Sequence, residues 1–218
     1  MNVNLKDLEN KLRISFPKLK SPFSIKKIGD GYESIVIETN DNIVFKIAKN
    51  HIVRLGYKKE KFLLLFLSKK IDSIQIPYPE YYIESSKEFT YGLIGYKKIK
   101  GGILDPKVLK ENSLPKIASQ IAYFLYQLHK IEVRHLNFSA IPYFPENMKD
   151  TWKNVSAWLH SNLKNYQFIT IREWWHEAEC FWKASDLKPT LVHGDLWYSN
   201  VLIDKKIMSQ VLLILVVL

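Results

Sequence analysis

Residues Leu191–Asp204 read LVHGDLWYSNVLID, and the reading of the whole chain turns on them. Two apolar runs, Leu191–His193 and Asn200–Ile203, are expected to be short strands flanking a polar loop. Within that loop Asp195 and Asn200 stand five positions apart. A carboxylate so placed can receive the proton of an attacking hydroxyl, while a carboxamide oxygen can ligate a divalent cation; these are two tasks of phosphoryl transfer. An Asp and an Asn at this spacing are common by themselves. His193-Gly194 in front and the apolar segments on both sides make the pattern more specific.

Upstream lies a second set of residues suited to phosphates. Three strands rich in Ile and Val are predicted at Ser24–Ile28, Ser34–Thr39 and Ile43–Ala48, the last two joined by the turn Asn40-Asp41-Asn42. The first pair is joined through Gly29-Asp30-Gly31-Tyr32-Glu33-Ser34, where Gly29 and Gly31 allow backbone amides close to phosphate oxygens. No Gly-Lys-Ser/Thr follows and no helix starts there, so this is not a Walker loop. Lys46 interrupts the apolar run of the third strand. An unpaired buried ammonium is very costly, so Lys46 needs a partner. Glu60, on a helix predicted over Tyr57–Lys70, is the one carboxylate between positions 42 and 71. Lys46 is read as serving phosphates rather than packing, so its removal is expected to spare the fold.

Composition bounds the alternatives. The chain has 218 residues, a net charge of +10 and 47% hydrophobic residues, as an ordinary globular protein of one domain or two small lobes would. The single cysteine, Cys180, excludes a disulfide framework and a CxxC zinc module. The charge excess is concentrated in residues 1–100, with nineteen Lys/Arg against eleven Asp/Glu. Those lysines are scattered among aliphatics, without the basic runs of a nucleic-acid arm, so no nucleic-acid partner is expected. The first twenty residues do not read as a signal peptide. The apolar run Val211–Leu218 is eight residues, against the roughly 20 a membrane helix needs. A cytoplasmic protein with no obligate protein partner is expected.

Further elements follow from periodicity. A helix is predicted over 3–13, strands at Tyr81–Glu84 and Tyr91–Tyr96, and helices at Leu114–Val133, Thr151–Asn165 and Thr170–Ser185. Strands first and helices second is an α+β pattern in two lobes, with a break at Gly101-Gly102. Cys180 and the tryptophans Trp174, Trp175 and Trp182 are expected in helix packing, with an aromatic wall for a sugar as the alternative; His129 is read as a structural cap.

These pieces stand in kinase order, and the chain resembles the aminoglycoside phosphotransferase family, small-molecule enzymes of the protein-kinase-like fold. The likeness runs from about residue 20 to 204 and includes the family's H-G-D spacing at His193-Gly194-Asp195. It implies a small β-rich lobe over 1–97 and an incomplete helical lobe over 98–218. It further implies ATP (or GTP) and Mg²⁺ as cofactors. Asp195 would act on the acceptor hydroxyl, Asn200 would hold the metal, and Gly29, Gly31, Ser34, Lys46 and Glu60 would surround the phosphates. In Phe89–Leu104, backbone groups of Lys97 and Ile99 would meet the nucleotide base. The layout is most similar to enzymes that phosphorylate the 2″-hydroxyl of aminoglycosides. The Asp-Leu-Trp wording after Gly194 also resembles ketosamine kinases, so a sugar or choline-type metabolite kinase stays open, as does a nucleotide-binding pseudoenzyme.

The chain departs from the family after Asp204. The family's second metal-binding aspartate, in an Ile-Asp-Phe segment, is absent from KKIMSQVLLILVVL. A chain truncated within its active site, with impaired transfer, is therefore expected. The Leu- and Val-rich tail can be encoded so that a shifted frame reads Phe-Ile-Asp-Phe-Gly-Ser-Val, which suggests a frameshift.

Overall fold

The computed structural model describes residues 4–19, 24–105, 107, 113–132, 136, 144–186, 190–203 and 211–213, with backbone alone at 144–147 and 211–213. Helix α1 (Leu5–Ser15) begins where the Asn4 side chain accepts hydrogen bonds from the Lys6 and Asp7 amides. An antiparallel sheet follows, with strands β1 (Ile25–Asp30), β2 (Ser34–Thr39), β3 (Ile43–Ala48), β4 (Tyr81–Ile83) and β5 (Leu93–Lys97) in the order β1-β2-β3-β5-β4. The β2–β3 turn is closed by Asn42 in the left-handed region, φ 57°, as its Asn-Asp-Asn sequence anticipates.

The period of two along these strands sorts their side chains. Ile37, Ile43, Phe45 and Leu93 lie on one face and bury against Leu8 and Leu12 of α1. Ala48 and Ile94 lie on the other, against Val53 and Tyr57 of helix α2 (His51–Leu67). Lys46 shares the parity of Ala48 and therefore faces α2. Gly95 is required beside Phe45: a Cβ there would stand 2.5 Å from the Phe45 ring.

Helix α2 starts six residues before the predicted Tyr57. The Asn50 side chain accepts from the Val53 amide at 3.0 Å and caps the helix at His51, a signal the apolar period did not carry. Beyond β5, a three-stranded sheet pairs β6 (Gly102–Ile103), β7 (Val201–Ile203) and β8 (Val211–Leu213). Where a break was expected at Gly101-Gly102, the chain instead makes a strand. Leu191–His193 is not a strand. Gly194 has φ 79° and turns the chain, and His193 is buried with Nδ1 accepting from the Asp195 amide.

Helix α3 (Leu114–His129) buries Ile117, Phe124 and Leu128, while α4 (Phe144–Asn162) and α5 (Asn165–Ala184) form a hairpin. The chain divides into two compact units, Met1–Leu128 with Val192–Leu218, and His129–Leu191. No helix among the described residues is long and apolar enough to cross a membrane. Of the tail on which the truncation and frameshift readings rest, only Val211–Leu213 is described, as β8; positions 204–210 and 214–218 lie outside the described residues.

Candidate functional site

Lys46 and Glu60 meet. The Lys46 ammonium donates to both Glu60 carboxylate oxygens, at 2.8 Å and 3.1 Å. The side chains are 19% and 5% exposed, so the pair is largely withdrawn from water. The strand-face parity of β3 and the Asn50-capped start of α2 together fix this meeting. Lys46 Nζ also stands 5.2 Å from the centroid of the Tyr57 ring, within the range of a cation–π contact.

The turn between β1 and β2 is pinned from several sides. Gly31 donates its amide to the Ser34 carbonyl at 3.0 Å, and Lys49 donates its own to the Glu33 carbonyl at 2.9 Å. The Lys49 ammonium bonds the Asp30 carboxylate at 2.6 Å, and Lys27 reaches the same carboxylate at 3.1 Å. The hydrogen bonds from Lys49 and then Lys27 hold the Asp30 carboxyl down at about 2. Gly29 belongs to β1, at a register shift between Lys27 and Gly29, rather than to the open turn. Ser34 is buried, and its hydroxyl shares a 2.5 Å hydrogen bond with the Tyr57 hydroxyl.

At the far end of β5 the main chain itself is presented. Ala48 donates to the Gly92 carbonyl and Lys98 to the Asn42 carbonyl, so the Ile43–Lys97 pair between them in register is a non-hydrogen-bonded one. The Lys97 amide and carbonyl therefore point away from β3, toward the side of β4. Pairing with β4 reaches only as far as Gly95. Ile99 is buried against Leu202 of β7, which anchors this segment to the strand after the polar loop.

In that loop Asn200 donates its side-chain amide to the Asp195 carboxylate oxygen Oδ2 at 2.8 Å and to the Asp195 carbonyl at 2.9 Å. A carboxylate only accepts, so the Asn200 NH₂ faces Asp195 and its carbonyl oxygen Oδ1 is the atom left to a cation. The Trp197 amide also donates to the Asp195 carbonyl, at 3.0 Å, and a 3₁₀ turn at Tyr198–Asn200 leads into β7. Behind the loop, His193 packs edge-on against Phe124 of α3, ring centroids 6.4 Å apart. Asp195 is exposed.

The family model described as the phosphotransferase enzyme family matches residues 24–212, a span holding both the Lys46–Glu60 pair and the His193–Asn200 loop. The chain belongs to that family. By fold it is similar to the GDP and kanamycin complex of APH(2")-IIIa, with a TM-score of 0.80 at 20% identity, over 95% of this chain and 70% of that one. It is similar to APH(2")-IIa in complex with gentamicin, TM-score 0.75 at 21% identity, over 98% and 70%. It is also similar to the macrolide 2'-phosphotransferase MphH from Brachybacterium faecium, TM-score 0.59 at 19% identity, over 94% and 70%. The α+β fold of the phosphotransferase is thus the protein-kinase-like one.

Of the residues singled out in the sequence, two pairs are brought together: Lys46 with Glu60, and Asp195 with Asn200. All four, with Gly29, Gly31, Ser34, Lys97 and Ile99, lie in the compact unit that contains the five-stranded sheet. Sequence reasoning missed Tyr57 and Lys49. Tyr57 precedes Glu60 by three residues and so shares its helix face, a signal available in the sequence. Two other readings need correction. Cys180 is exposed rather than packed, with Sγ 3.6 Å from His176 Nε2, because α5 buries none of its residues. Trp174 is 66% exposed, whereas Trp175 packs on Trp152 with ring centroids 5.3 Å apart.

Proposed function

We propose that this phosphotransferase moves the terminal phosphoryl group of ATP or GTP to a hydroxyl of a small molecule, most simply an aminoglycoside. The observation that carries this reading is the Asn200 amide bonded to the Asp195 carboxylate. It aims the carboxylate while reserving an amide oxygen for a hard cation. Mg²⁺ suits these donors, since it is commonly held by one or two protein oxygens together with substrate phosphates. When bound, Mg²⁺ would neutralise phosphate charge as the transfer proceeds.

The chain's own residues supply the rest. Lys46, oriented by Glu60, would hold phosphate oxygens. The turn Gly31–Glu33, flanked by Gly29 and Ser34, would lie over them. The Lys97 amide and carbonyl, together with Ile99, would receive the edge of the base. Asp195 would accept the proton of the acceptor hydroxyl as its oxygen attacks. In this reading the nucleotide lobe is 1–97 and the catalytic lobe 98–218.

Support for a basic, sugar-like acceptor comes from the fold relatives. The fold relatives include complexes with kanamycin and gentamicin. The test is nucleotide turnover with Mg²⁺ in the presence of kanamycin, gentamicin, a ketosamine and choline. Weak turnover stimulated by kanamycin or gentamicin is the expected result, since the family's second metal-binding aspartate is missing from the sequence after Asp204. Stimulation by the ketosamine or choline alone would reassign the acceptor, and nucleotide binding without stimulation by any of them would make the chain a pseudoenzyme.

A further inference from the structure

We propose that Tyr57 is a positioning residue of the phosphate site, which sets the Lys46 ammonium and couples the Gly29–Ser34 turn to α2. The inference rests on the reading above, in which Lys46 holds phosphates. Tyr57 is only 4% exposed, and it touches the site in two ways at once. Its ring lies beneath the Lys46 ammonium at 5.2 Å, and its hydroxyl shares the 2.5 Å hydrogen bond with Ser34. One turn along the same helix face, Glu60 grips Lys46 at 2.8 Å.

The geometry makes a closed circuit. Ser34 ends the turn that would cover the phosphates, Tyr57 and Glu60 belong to one helix, and Lys46 stands on the strand paired with β2, in register with Val36. A shift of α2 away from the sheet would release Glu60 from Lys46 and Tyr57 from Ser34 together. A phenol is uncharged at neutral pH, and burial pushes that of Tyr57 higher still, so the ring carries no negative charge to compete with phosphate. A purely apolar side chain would fill the same space between β3 and α2. It would not bond Ser34, and its face would not attract an ammonium.

The experiment measures dissociation constants of ATP with Mg²⁺ and of adenosine for the 218-residue chain and for Tyr57→Phe, Ser34→Ala, the double variant, Tyr57→Leu and Lys46→Met. Tyr57→Phe and Ser34→Ala are each expected to weaken ATP by about fivefold, the effect of one hydrogen bond. The double variant should be no weaker than either single one, because all three lack the same bond. Tyr57→Leu, which also removes the cation–π face, should weaken ATP by about a further fivefold. Adenosine, lacking phosphates, should bind all of them equally. Loss of adenosine and ATP affinity in parallel would reduce Tyr57 to a structural role and overturn the proposal. So would unchanged ATP affinity in both Tyr57→Phe and Ser34→Ala while Lys46→Met loses it. If Lys46→Met binds ATP normally, the phosphate reading itself fails, and Tyr57 falls with it. Should Tyr57→Leu not fold, the hydroxyl variants decide.

Discussion

The Lys46–Glu60 pair and the Asp195–Asn200 pair are held by different physics. The first sits on a strand and a helix, each anchored in a hydrophobic core, and its side chains are 19% and 5% exposed. Packing decides where those charges lie, and once buried they need each other. The second pair sits in a loop of which Asp195 is exposed, and hydrogen bonds within the six residues Asp195–Asn200 define it. Damage to the first should therefore register as lost stability as well as lost binding. Damage to the second should register as lost chemistry alone.

The sharpest way to break that contrast is Asp195→Ala. The carboxylate is exposed and supports no core residue, so the variant should melt with the parent. Nucleotide affinity should also be retained, because in the proposed reading the aspartate acts on the acceptor. Phosphoryl transfer should fall by about 10²–10⁴-fold, the usual contribution of a positioned general base. Retained transfer, or a fall in melting temperature of many degrees, would show that the two pairs do not divide the work in this way.

The next largest effects belong to the buried pair, and they should be unequal. Lys46→Ala strands a carboxylate on α2 that is almost wholly inside, whereas Glu60→Ala strands an ammonium with more access to water and the Tyr57 face beneath it. Breaking a buried pair costs about 3–5 kcal/mol, and the partial exposure of Lys46 lowers the figure to about 2 kcal/mol for Glu60→Ala. Denaturant unfolding of the two variants should place Lys46→Ala as the less stable. The sequence reading, in which Lys46 could be removed without cost to the fold, takes no account of what surrounds Glu60. Equal stability of both variants and the parent would return to that reading.

Which parts of this were legible in the sequence follows the same division. Strands β2 and β3 could be placed to the residue, because alternation within an Ile- and Val-rich run reports both the element and the buried face. Parity then placed Lys46, and the single carboxylate of α2 named its partner. The H-G-D…N spacing named the loop residues for the same reason, since a loop that builds its own geometry carries it in local sequence. What stayed hidden depended on contacts between distant segments. Leu191–His193 looked like a strand, but a buried histidine and a left-handed Gly194 bend it into the loop. β6 is two residues long and exists only because β7 pairs with it. The exposure of Cys180 and Trp174 could not be read from the apolar content of α5, a helix that buries no residue.

The smallest expected effect lies in the β1–β2 turn, where an exposed ion pair does a job that burial does elsewhere. Asp30 is bonded by Lys49 from the end of β3 and by Lys27 from β1, so one carboxylate ties the turn to two strands. Its carboxyl is held at about 2 in the folded chain, against 3.8 when unconstrained. A group depressed in this way favours the folded state above the unconstrained value. That contribution shrinks as the pH drops below about 4 and is gone once the pH has passed through about 2. Asp30→Asn removes the charge at every pH. The melting-temperature difference between parent and variant should therefore be constant from neutrality down to about pH 5, narrow below pH 4 and vanish only below about pH 2. Because the pair is exposed, added salt should shrink the plateau too. A difference at pH 2 as large as the plateau, or one indifferent to salt, would mean that Asp30 holds the turn through its shape and local hydrogen bonding rather than through its charge.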